Sequence, residues 1–215
     1  MTLDLFESID SVWVEPLTDG AVVLRRFASE QAQALLDAVG QVTDQAPLRQ
    51  MQTPGGHQMS VAMSCCGVRG WVTDRSGYRY QTTDPLTDQP WPAMPAVLRE
   101  LARKAALKAG YPDFDPDSCL INHYLPGAKM GLHQDRNEAD FSQPIVSVSL
   151  GAPIVFQFGG DRRNDRPQKV PLEHGDVAVW GGPSRLRYHG VLTLKAVEHQ
   201  LTGACRYNLT FRKAG

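Results

Sequence analysis

Eight short runs of β-forming residues follow one another in the second half of this chain, and they constrain its fold more than any other feature. Glycine, proline and aspartate separate the runs, which lie about 8 to 12 residues apart. Short strands separated in this way are typical of a jelly-roll or a barrel. The predicted strands are 119–124, 130–135, 145–150, 154–158, 169–172, 177–180, 187–192 and 206–212. We therefore predict a mainly β fold with a jelly-roll core.

Two amphipathic segments precede these strands and predict flanking helices. Ser29 is a plausible N-cap for a helix that runs to about Val42, and a second helix is predicted from Pro92 to Gly110. The stretch 49–91 between them is rich in turns yet carries aromatic residues, which suits a mobile cover over a site. We predict a single domain over 1–215. It comprises an N-terminal extension with a supporting helix (1–48), the cover (49–91), and a helix followed by the β core (92–215).

Composition narrows the class of protein. A chain of 215 residues and 23.7 kDa fits one domain. The four cysteines, Cys65, Cys66, Cys119 and Cys205, show no CxxC or zinc-knuckle spacing, so reduced thiols are expected. The acidic first residues do not resemble a signal peptide, and no apolar run approaches the length of a membrane span. We predict a cytoplasmic protein without a membrane partner.

Two histidines and an aspartate predict a metal site. His133 and Asp135 are two residues apart, so in a strand their side chains project from the same face, and His189 follows 54 residues after Asp135. Two histidines and one carboxylate form the set that binds non-haem Fe(II) and leaves positions free for other ligands. A His-x-Asp pair alone is weak evidence. The chain holds another, His174-Gly-Asp176, which we interpret as a turn before a strand.

The segment 206–212 alternates between two kinds of side chain. Tyr207, Leu209 and Phe211 would share one face, and the polar side chains of Arg206, Asn208, Thr210 and Arg212 the other. An ordinary half-buried strand shows the same pattern. Two guanidinium groups on one face could instead bind the two carboxylates of a dicarboxylate such as 2-oxoglutarate, next to the metal.

Aromatic and basic residues outside the core raise the question of a nucleic-acid partner. Trp71, Tyr78 and Tyr80 lie in the turn-rich stretch, where aromatic rings can stack on an unpaired base, although such rings more often pack in a core. The net charge of −1 predicts local binding rather than a broad basic surface. The candidate basic patches, which could equally be ordinary surface charge, are Arg69 with Arg75 and Arg79, Arg162 and Arg163 with Arg166 and Lys169, and Arg185 with Arg187.

These motifs together resemble the AlkB family of Fe(II)/2-oxoglutarate dioxygenases, and the resemblance covers roughly residues 10–213. Besides the metal and arginine motifs, it is carried by Met51-Gln-Thr-Pro-Gly-Gly, Ser60-Val-Ala-Met63, Tyr111-Pro-Asp-Phe, Pro126-Gly-Ala-Lys, 144–150, Phe156-Gln-Phe-Gly-Gly and His174-Gly-Asp-Val. It implies a double-stranded β-helix core with a nucleotide-recognition lid. It also implies Fe(II), 2-oxoglutarate and O2, with demethylation of bases such as 1-methyladenine and 3-methylcytosine that releases formaldehyde, succinate and CO2.

The resemblance also assigns roles to individual residues. The implied 2-oxoglutarate contacts are Leu120, Asn122, Tyr124, Met130, Ile145, Ser147, Arg206, Asn208, Thr210 and Arg212, with Arg212 towards the metal end. The implied substrate contacts are Met63, Trp71, Arg75, Tyr78, Tyr80, Asn137 and Arg163. Asn137 stands where the family has an acidic residue that contacts the damaged base. The implied partner is alkylated single-stranded DNA, with duplex DNA and RNA as further substrates, bound by a monomer.

Two other classes of function remain open at this point. A dioxygenase with the same iron chemistry could act on a protein, a lipid or a small molecule. A cupin-like binding barrel without turnover is a third reading, but it leaves Arg206 and Arg212 without a purpose.

Overall fold

The computed structural model describes residues 12–215. The acidic start of the chain and the first part of the predicted 1–48 segment lie outside the described residues. The helices are α1 (Ala32–Gln45) and α2 (Ala96–Lys108). The strands are β1 (Trp13–Thr18), β2 (Ala21–Arg25), β3 (Arg49–Gln52), β4 (Gln58–Gly67), β5 (Gly70–Asp74), β6 (Gly77–Gln81), β7 (Thr83–Asp84), β8 (Gln89–Pro90), β9 (Ser118–Tyr124), β10 (Met130–His133), β11 (Ile145–Gly151), β12 (Ile154–Phe158), β13 (Gln168–Leu172), β14 (Val177–Trp180), β15 (His189–Val191) and β16 (Arg206–Arg212).

Two antiparallel sheets form the core of the molecule. The larger sheet has eight strands in the order β1-β2-β14-β11-β16-β9-β4-β3, and the smaller has four in the order β10-β15-β12-β13. One apolar cluster joins the inner faces of both sheets, with Leu120 and Ile145 from the larger sheet and Phe156 and Val191 from the smaller. From β9 to β16 the chain passes repeatedly between these two packed layers, with β12 and β13 consecutive in the smaller one, and the predicted mainly β jelly-roll is confirmed.

Both helices pack on the outer face of the larger sheet and bury a second apolar cluster. Leu35 and Val39 of α1 and Leu98 and Leu101 of α2 belong to it. Phe211 of β16 enters the same cluster from the sheet. The larger sheet is thus covered on both sides, which explains why its central strands β11 and β16 have few exposed residues.

The start of the first helix differs from the sequence-based prediction. Ser29 does not cap α1, because it begins a short 3-10 turn (Ser29–Gln31), and Gln31 occupies the cap position without a side-chain hydrogen bond. Gly175 passes so close to Ser29 that an added Cβ on the glycine would lie 2.0 Å from the serine Oγ. The packing of this glycine turn against Ser29 therefore accompanies a helix start two residues later than predicted.

The strand that carries the first predicted metal ligand is shorter than expected. The run 130–135 was predicted as one strand, but β10 ends at His133. The backbone carbonyl of Asp135 instead accepts a hydrogen bond from Nη1 of Arg185 at 3.0 Å. A side chain thus takes the place of a neighbouring strand at this point.

The turn-rich stretch 49–91 divides into two parts. Strand β4 pairs with β9 from Ala62 to Gly67, and β3 pairs with β4, so this part belongs to the larger sheet and is not a cover. Met63 and Cys65 on β4 are buried in the core. The remaining part forms two hairpins, β5–β6 and β7–β8, which are separate from both large sheets.

Two further predictions concern the cysteines and the membrane. All four cysteines are free thiols, as the sequence predicts, and Cys65, Cys66 and Cys119 are buried. Over residues 12–215, neither α1 nor α2 combines the length and the apolar character that crossing a bilayer requires.

Candidate active site

A cavity of about 450 Å³ opens between the two sheets and brings together most of the residues predicted from the sequence. The predicted residues that line it are Met63, Trp71, Tyr78, Leu120, Asn122, Tyr124, Met130, His133, Asp135, Asn137, Ser147, Arg163, His189, Arg206, Asn208, Thr210 and Arg212. A cavity of this size is in the range of sites for small ligands. Its polar floor comes from β9 and β16, and its metal-binding candidates come from β10, β15 and the loop after β10.

Three residues predicted to contact ligands do not line the cavity. Ile145 is fully buried in the apolar cluster between the sheets, where it pairs with Trp180 across β11 and β14. Arg75 is exposed at the turn between β5 and β6. Tyr80 points beneath the hairpin, where its hydroxyl donates to Oε1 of Glu138 at 2.7 Å.

The two histidines and the aspartate predicted to bind metal converge at one end of the cavity. Nε2 of His133 lies 3.7 Å from Oδ1 of Asp135, and Nε2 of His189 lies 3.7 Å from Oδ2. One candidate ligand atom from each residue falls within 4.8 Å of the other two. His133 and His189 are opposite each other in the register of β10 and β15, so the hydrogen-bonded strands bring the rings together.

Backbone carbonyls orient both imidazole rings. Nδ1 of His133 lies 2.9 Å from the carbonyl oxygen of Gly131, and Nδ1 of His189 lies 3.1 Å from that of Arg187. A carbonyl only accepts, so Nδ1 carries the proton and Nε2 keeps its lone pair for a metal. Burial, and then the neighbouring His133, lowers the pKa of His189 to about 3, so its ring is neutral near pH 7.

Arg212 holds the carboxylate of Asp135. Its Nε and Nη2 donate to Oδ2 at 3.0 and 2.8 Å, and Glu138 lies on its other side at 3.4 Å. Burial alone would raise the pKa of Asp135, but the Arg212 charge, with smaller contributions from the two histidines, keeps it below its ordinary value. Arg212 therefore already has two carboxylate partners, Asp135 and Glu138. The sequence had instead suggested that both Arg206 and Arg212 would bind the carboxylates of a ligand.

Arg206 is the buried arginine that lacks an acidic partner. Only 2% of it is exposed, its Nη2 donates to Oγ of Ser149 at 2.9 Å, and its guanidinium lies 5.1 Å from the centre of the Tyr124 ring. Its Nε and Nη1 have no hydrogen-bond partner among the described residues. Burying a guanidinium in this state is costly unless an anion completes its contacts. These two atoms therefore fit a carboxylate.

Polar side chains on three adjacent strands extend the floor beside Arg206. Asn208 donates from Nδ2 to Oγ of Ser147 at 2.8 Å, and its Oδ1 accepts from Thr210 at 3.0 Å and from Asn122 at 3.2 Å. Oδ1 of Asn122 is buried and has no partner among residues 12–215. The network fixes the amide orientations and leaves hydrogen-bonding capacity next to the guanidinium.

Aromatic and basic residues surround the mouth of the cavity. Trp71 of β5 and Tyr78 of β6 stack with ring centres 5.6 Å apart, and both rings line the cavity. Nε1 of Trp71 donates to Oδ1 of Asn137 at 3.2 Å. Arg136 and Arg163 also line the cavity and are exposed. The mouth thus combines a flat apolar surface with positive charge.

Comparison with known proteins agrees with this geometry. The sequence profile of the 2OG-Fe(II) oxygenase superfamily matches residues 20–212. The alpha-ketoglutarate-dependent dioxygenase AlkB of Salmonella typhimurium is 61% identical over 212 residues, which cover 99% of this chain and 98% of that protein. The chain belongs to the AlkB family of 2OG-Fe(II) oxygenases. The resemblance drawn from the motifs is therefore confirmed.

More distant relatives include a sequence match and a solved structure with the same fold. The DNA N(6)-methyladenine demethylase ALKBH1C of Arabidopsis thaliana is 31% identical over 182 residues, which cover 73% of this chain and 39% of that protein. The structure of OsALKBH1 superposes with a TM-score of 0.80 at 29% identity, and the match covers 94% of this chain and 100% of that one.

As a member of the AlkB family, this protein is a dioxygenase that requires Fe(II), 2-oxoglutarate and O2. The residues present fit those groups. The clustered donor atoms of His133, Asp135 and His189 are of the kinds that bind Fe(II). The unpartnered Nε and Nη1 of Arg206 offer two donors to the oxygens of a dicarboxylate.

Several residues of this AlkB-family site were not predicted from the sequence. Glu138 was not considered, and Arg185 was placed in a surface patch. Arg185 is in fact 3% exposed and binds Oε2 of Glu138 at 3.1 Å. Trp180, whose ring centre lies 4.9 Å from that of His189, also lines the cavity. The sequence offered one clue to Trp180. It is two residues after Ala178 on the same strand, so both side chains face the interior between the sheets.

Proposed function

We propose that this dioxygenase demethylates N-alkylated bases such as 1-methyladenine and 3-methylcytosine, with single-stranded DNA as the preferred substrate and duplex DNA or RNA as further ones. The methyl group leaves as formaldehyde while 2-oxoglutarate is converted to succinate and CO2. One observation carries the proposal above the others. Trp71, an aromatic ring that can stack on a base, lines the same cavity as the His133, Asp135 and His189 cluster.

The shape of the mouth supports a flat aromatic substrate. The stacked pair of Trp71 and Tyr78 offers a ring surface to an incoming base, and base–aromatic stacking contributes about 1–3 kcal/mol per base. Tyr78 is 47% exposed, so it is reachable from the outside. The family of the chain supports the same class of substrate, since the Arabidopsis relative is a DNA demethylase.

The distribution of charge supports a short contact with a nucleic-acid backbone. Arg136 and Arg163 are exposed at the mouth, and Arg75 is exposed at the tip of the β5–β6 hairpin. The whole chain has a net charge of −1, so phosphate binding would be restricted to this region and weakened by salt. Extruding a base from a duplex costs a few kcal/mol, which favours single strands.

Each part of the cavity has a task in this proposal. His133, Asp135 and His189 would hold Fe(II), which when bound supplies the activation of O2 that is coupled to 2-oxoglutarate decarboxylation and methyl oxidation. Arg206 would anchor the co-substrate at the far end through its two unpartnered nitrogen atoms. The buried walls formed by Met63, Leu120 and Trp180 limit the access of water to the reacting groups.

The decisive experiment is anaerobic reconstitution with Fe(II), followed by air and a single-stranded oligonucleotide that carries 1-methyladenine. Mass spectrometry should show the loss of one methyl group only when 2-oxoglutarate is present. His133→Ala and Asp135→Ala should abolish succinate formation. Trp71→Ala should raise KM for the oligonucleotide, whereas Trp13→Ala, which removes an exposed tryptophan of β1, should not.

The alternative outcomes separate the substrate from the chemistry. Succinate production with an unchanged oligonucleotide would overturn the nucleic-acid substrate and direct the search to a protein, lipid or small molecule. Full activity of Asp135→Ala would overturn the metal assignment. We also propose a monomer in the cytoplasm, where four free thiols would remain reduced.

A further inference from the structure

A second buried carboxylate lies behind the metal-binding candidates. Glu138 is 6% exposed and sits between two buried guanidinium groups. Its Oε2 accepts from Nη2 of Arg185 at 3.1 Å, and its Oε1 lies 3.4 Å from Nε of Arg212. Two carboxylates and two guanidinium groups, counting Asp135, therefore share one desolvated cluster. A cluster of this kind holds its geometry only while each charge keeps its partners.

Both arginines of the cluster also donate hydrogen bonds to Asp135. Arg212 donates twice to Oδ2 of its side chain, and Arg185 donates from Nη1 to its backbone carbonyl at 3.0 Å. Nε of Arg185 also binds the carbonyl of Gln143 at 2.9 Å, which fixes the guanidinium from a third side. Glu138 thereby contacts both guanidinium groups that support Asp135, and it makes no hydrogen bond to Asp135 itself within residues 12–215.

The same carboxylate also reaches the β5–β6 hairpin. The hydroxyl of Tyr80 on β6 donates to Oε1 of Glu138 at 2.7 Å, across 58 positions in the sequence. Burial raises the pKa of Tyr80 well above its ordinary value, so the hydroxyl stays protonated and acts as a donor. On the opposite strand of this hairpin, Trp71 is paired with Tyr80 in the register and lines the cavity mouth.

We propose that Glu138 is a positioning residue that couples the β5–β6 hairpin to the carboxylate of Asp135. Through Tyr80 it holds the hairpin over the cavity, and through Arg212 and Arg185 it fixes the rotamer and the backbone of the predicted metal ligand. Movement of the hairpin therefore alters the support of Asp135, and the reverse also holds. The part that concerns substrate capture rests on the proposed function, whereas the part that concerns metal affinity does not.

Two variants separate the two connections of Glu138. Glu138→Gln keeps the size and an acceptor for Tyr80, but removes the charge that balances Arg212 and Arg185. Tyr80→Phe removes the hairpin connection alone. Matched controls are Glu100→Gln, on the exposed face of α2, and Tyr111→Phe, which removes a hydroxyl bound to the Gly20 carbonyl away from the cavity.

The first measurement is an anaerobic titration with Co(II), followed by its visible absorption, which reports affinity and coordination without turnover. Removing an outer partner of a metal ligand typically weakens metal affinity by about 10–100-fold, so we expect a Kd about tenfold higher in Glu138→Gln. Tyr80→Phe should raise the Kd by about two- to threefold, less than Glu138→Gln, because it loosens Glu138 but keeps the contacts of Glu138 with both arginines. Glu100→Gln and Tyr111→Phe, which lie outside the cluster, should leave the Kd unchanged. An unchanged Co(II) Kd and spectrum in folded Glu138→Gln would overturn the proposal.

The second measurement is amide hydrogen exchange of residues 70–81 in the absence of nucleic acid. Tyr80→Phe and Glu138→Gln should both exchange faster there than the wild type, and Tyr111→Phe should not. If Glu138→Gln does not fold, Tyr80→Phe alone tests the proposal. Wild-type amide exchange of residues 70–81 in Tyr80→Phe would overturn the coupling. Neither measurement uses an oligonucleotide, so a failure of the proposed substrate would leave this result distinguishable.

Discussion

Arg212 binds Asp135 through a single carboxylate oxygen, with Nε and Nη2 donating to Oδ2 at 3.0 and 2.8 Å. Oδ1 accepts no guanidinium hydrogen bond and lies 3.7 Å from Nε2 of His133. The carboxylate is therefore held by the guanidinium at one oxygen, which also lies near His189, while the other oxygen remains available beside His133. A carboxylate that is oriented before metal binding loses less rotational freedom when the metal is bound.

The unequal surroundings of the two arginines on β16 lead to a first prediction. Arg206→Gln should raise the KM for 2-oxoglutarate about 100-fold, or ~3 kcal/mol, because it removes the charge that lacks an acidic partner. The Co(II) affinity should change little, since Arg206 bonds to Ser149 and lies against Tyr124 and makes no hydrogen bond to His133, Asp135 or His189. Succinate formation at varied 2-oxoglutarate concentration gives the KM. Arg99→Gln, which breaks an exposed ion pair with Asp115 on the surface, serves as the control. A wild-type KM in Arg206→Gln would contradict the assignment.

Asn137 leads to a prediction about the charge of the base. Among the described residues that line the cavity, Asp135 is the single acidic one, and Arg212 already neutralises it. 1-Methyladenine and 3-methylcytosine are cationic, whereas 1-methylguanine and 3-methylthymine are neutral. Asn137→Asp keeps an acceptor for Nε1 of Trp71 and adds a negative charge, so kcat/KM for cationic over neutral bases should rise about fivefold, or ~1 kcal/mol.

Competition between two methylated oligonucleotides in one reaction measures that ratio directly. Asn164→Asp adds the same charge in the exposed loop after β12 and should leave the ratio unchanged. An equal ratio in wild type and Asn137→Asp would show that residue 137 does not contact the base.

Two glycine-to-alanine changes should move stability in opposite directions. A Cβ on Gly70 would lie 2.2 Å from Cε2 of the buried Trp91, whose Nε1 is held by the Gln81 carbonyl at 3.0 Å. Gly70→Ala should therefore destabilise the fold by about 1–3 kcal/mol. Gly40→Ala lies within α1 with no atom within 4 Å of the added Cβ, and should stabilise by about 0.5–1 kcal/mol. Urea unfolding measures both, and a stabilised Gly70→Ala would contradict the packing at Trp91.

His174 predicts a pH dependence of stability. Its Nδ1 accepts from the Gly151 N–H at 3.0 Å, and its ring stacks on that of His199 at 4.3 Å. Burial, and then His199, lowers the pKa of His174 from its ordinary value of 6.5, although Asp176 opposes the change. The unfolded chain then binds a proton more readily than the folded one. The contribution of the neutral ring is complete above about pH 6.5 and is lost as the pH falls through the folded pKa.

His174→Asn tests this dependence, because Oδ1 of asparagine can accept from Gly151 but does not titrate. Between pH 8 and pH 5 the wild-type melting temperature should fall more steeply than that of His174→Asn. His57→Asn, at an exposed position, should retain the wild-type slope. Parallel slopes for wild type and His174→Asn would show that His174 does not contribute to acid sensitivity.

The periodicity of the sequence correctly predicted those parts of the site whose residues lie on the same strand. In β16, Arg206, Asn208, Thr210 and Arg212 share one face because strand residues alternate, and all four line the cavity. Pairing of β16 with β9 then sets Asn208 opposite Asn122, which explains why predicted co-substrate contacts from different strands meet.

Contacts between distant segments could not be predicted in this way. Glu138 lies in a polar stretch after Arg136 and Asn137, and its partners Tyr80 and Arg185 are 58 and 47 positions away. Arg185 therefore looked like surface charge until its partner was known. For the same reason β4 seemed part of a cover, because its pairing with β9 leaves no signal in its own turn-rich surroundings.

His133 and His189 face each other directly across β10 and β15, and this register has a consequence for the lifetime of the protein. An ion bound by both strands would act as a cross-link that closes the long intervening chain segment. The unfolded chain lacks that arrangement, so metal would bind the folded state preferentially and raise its resistance to unfolding. Iron supply would then govern how much of the protein survives proteolysis, and not only how fast it turns over.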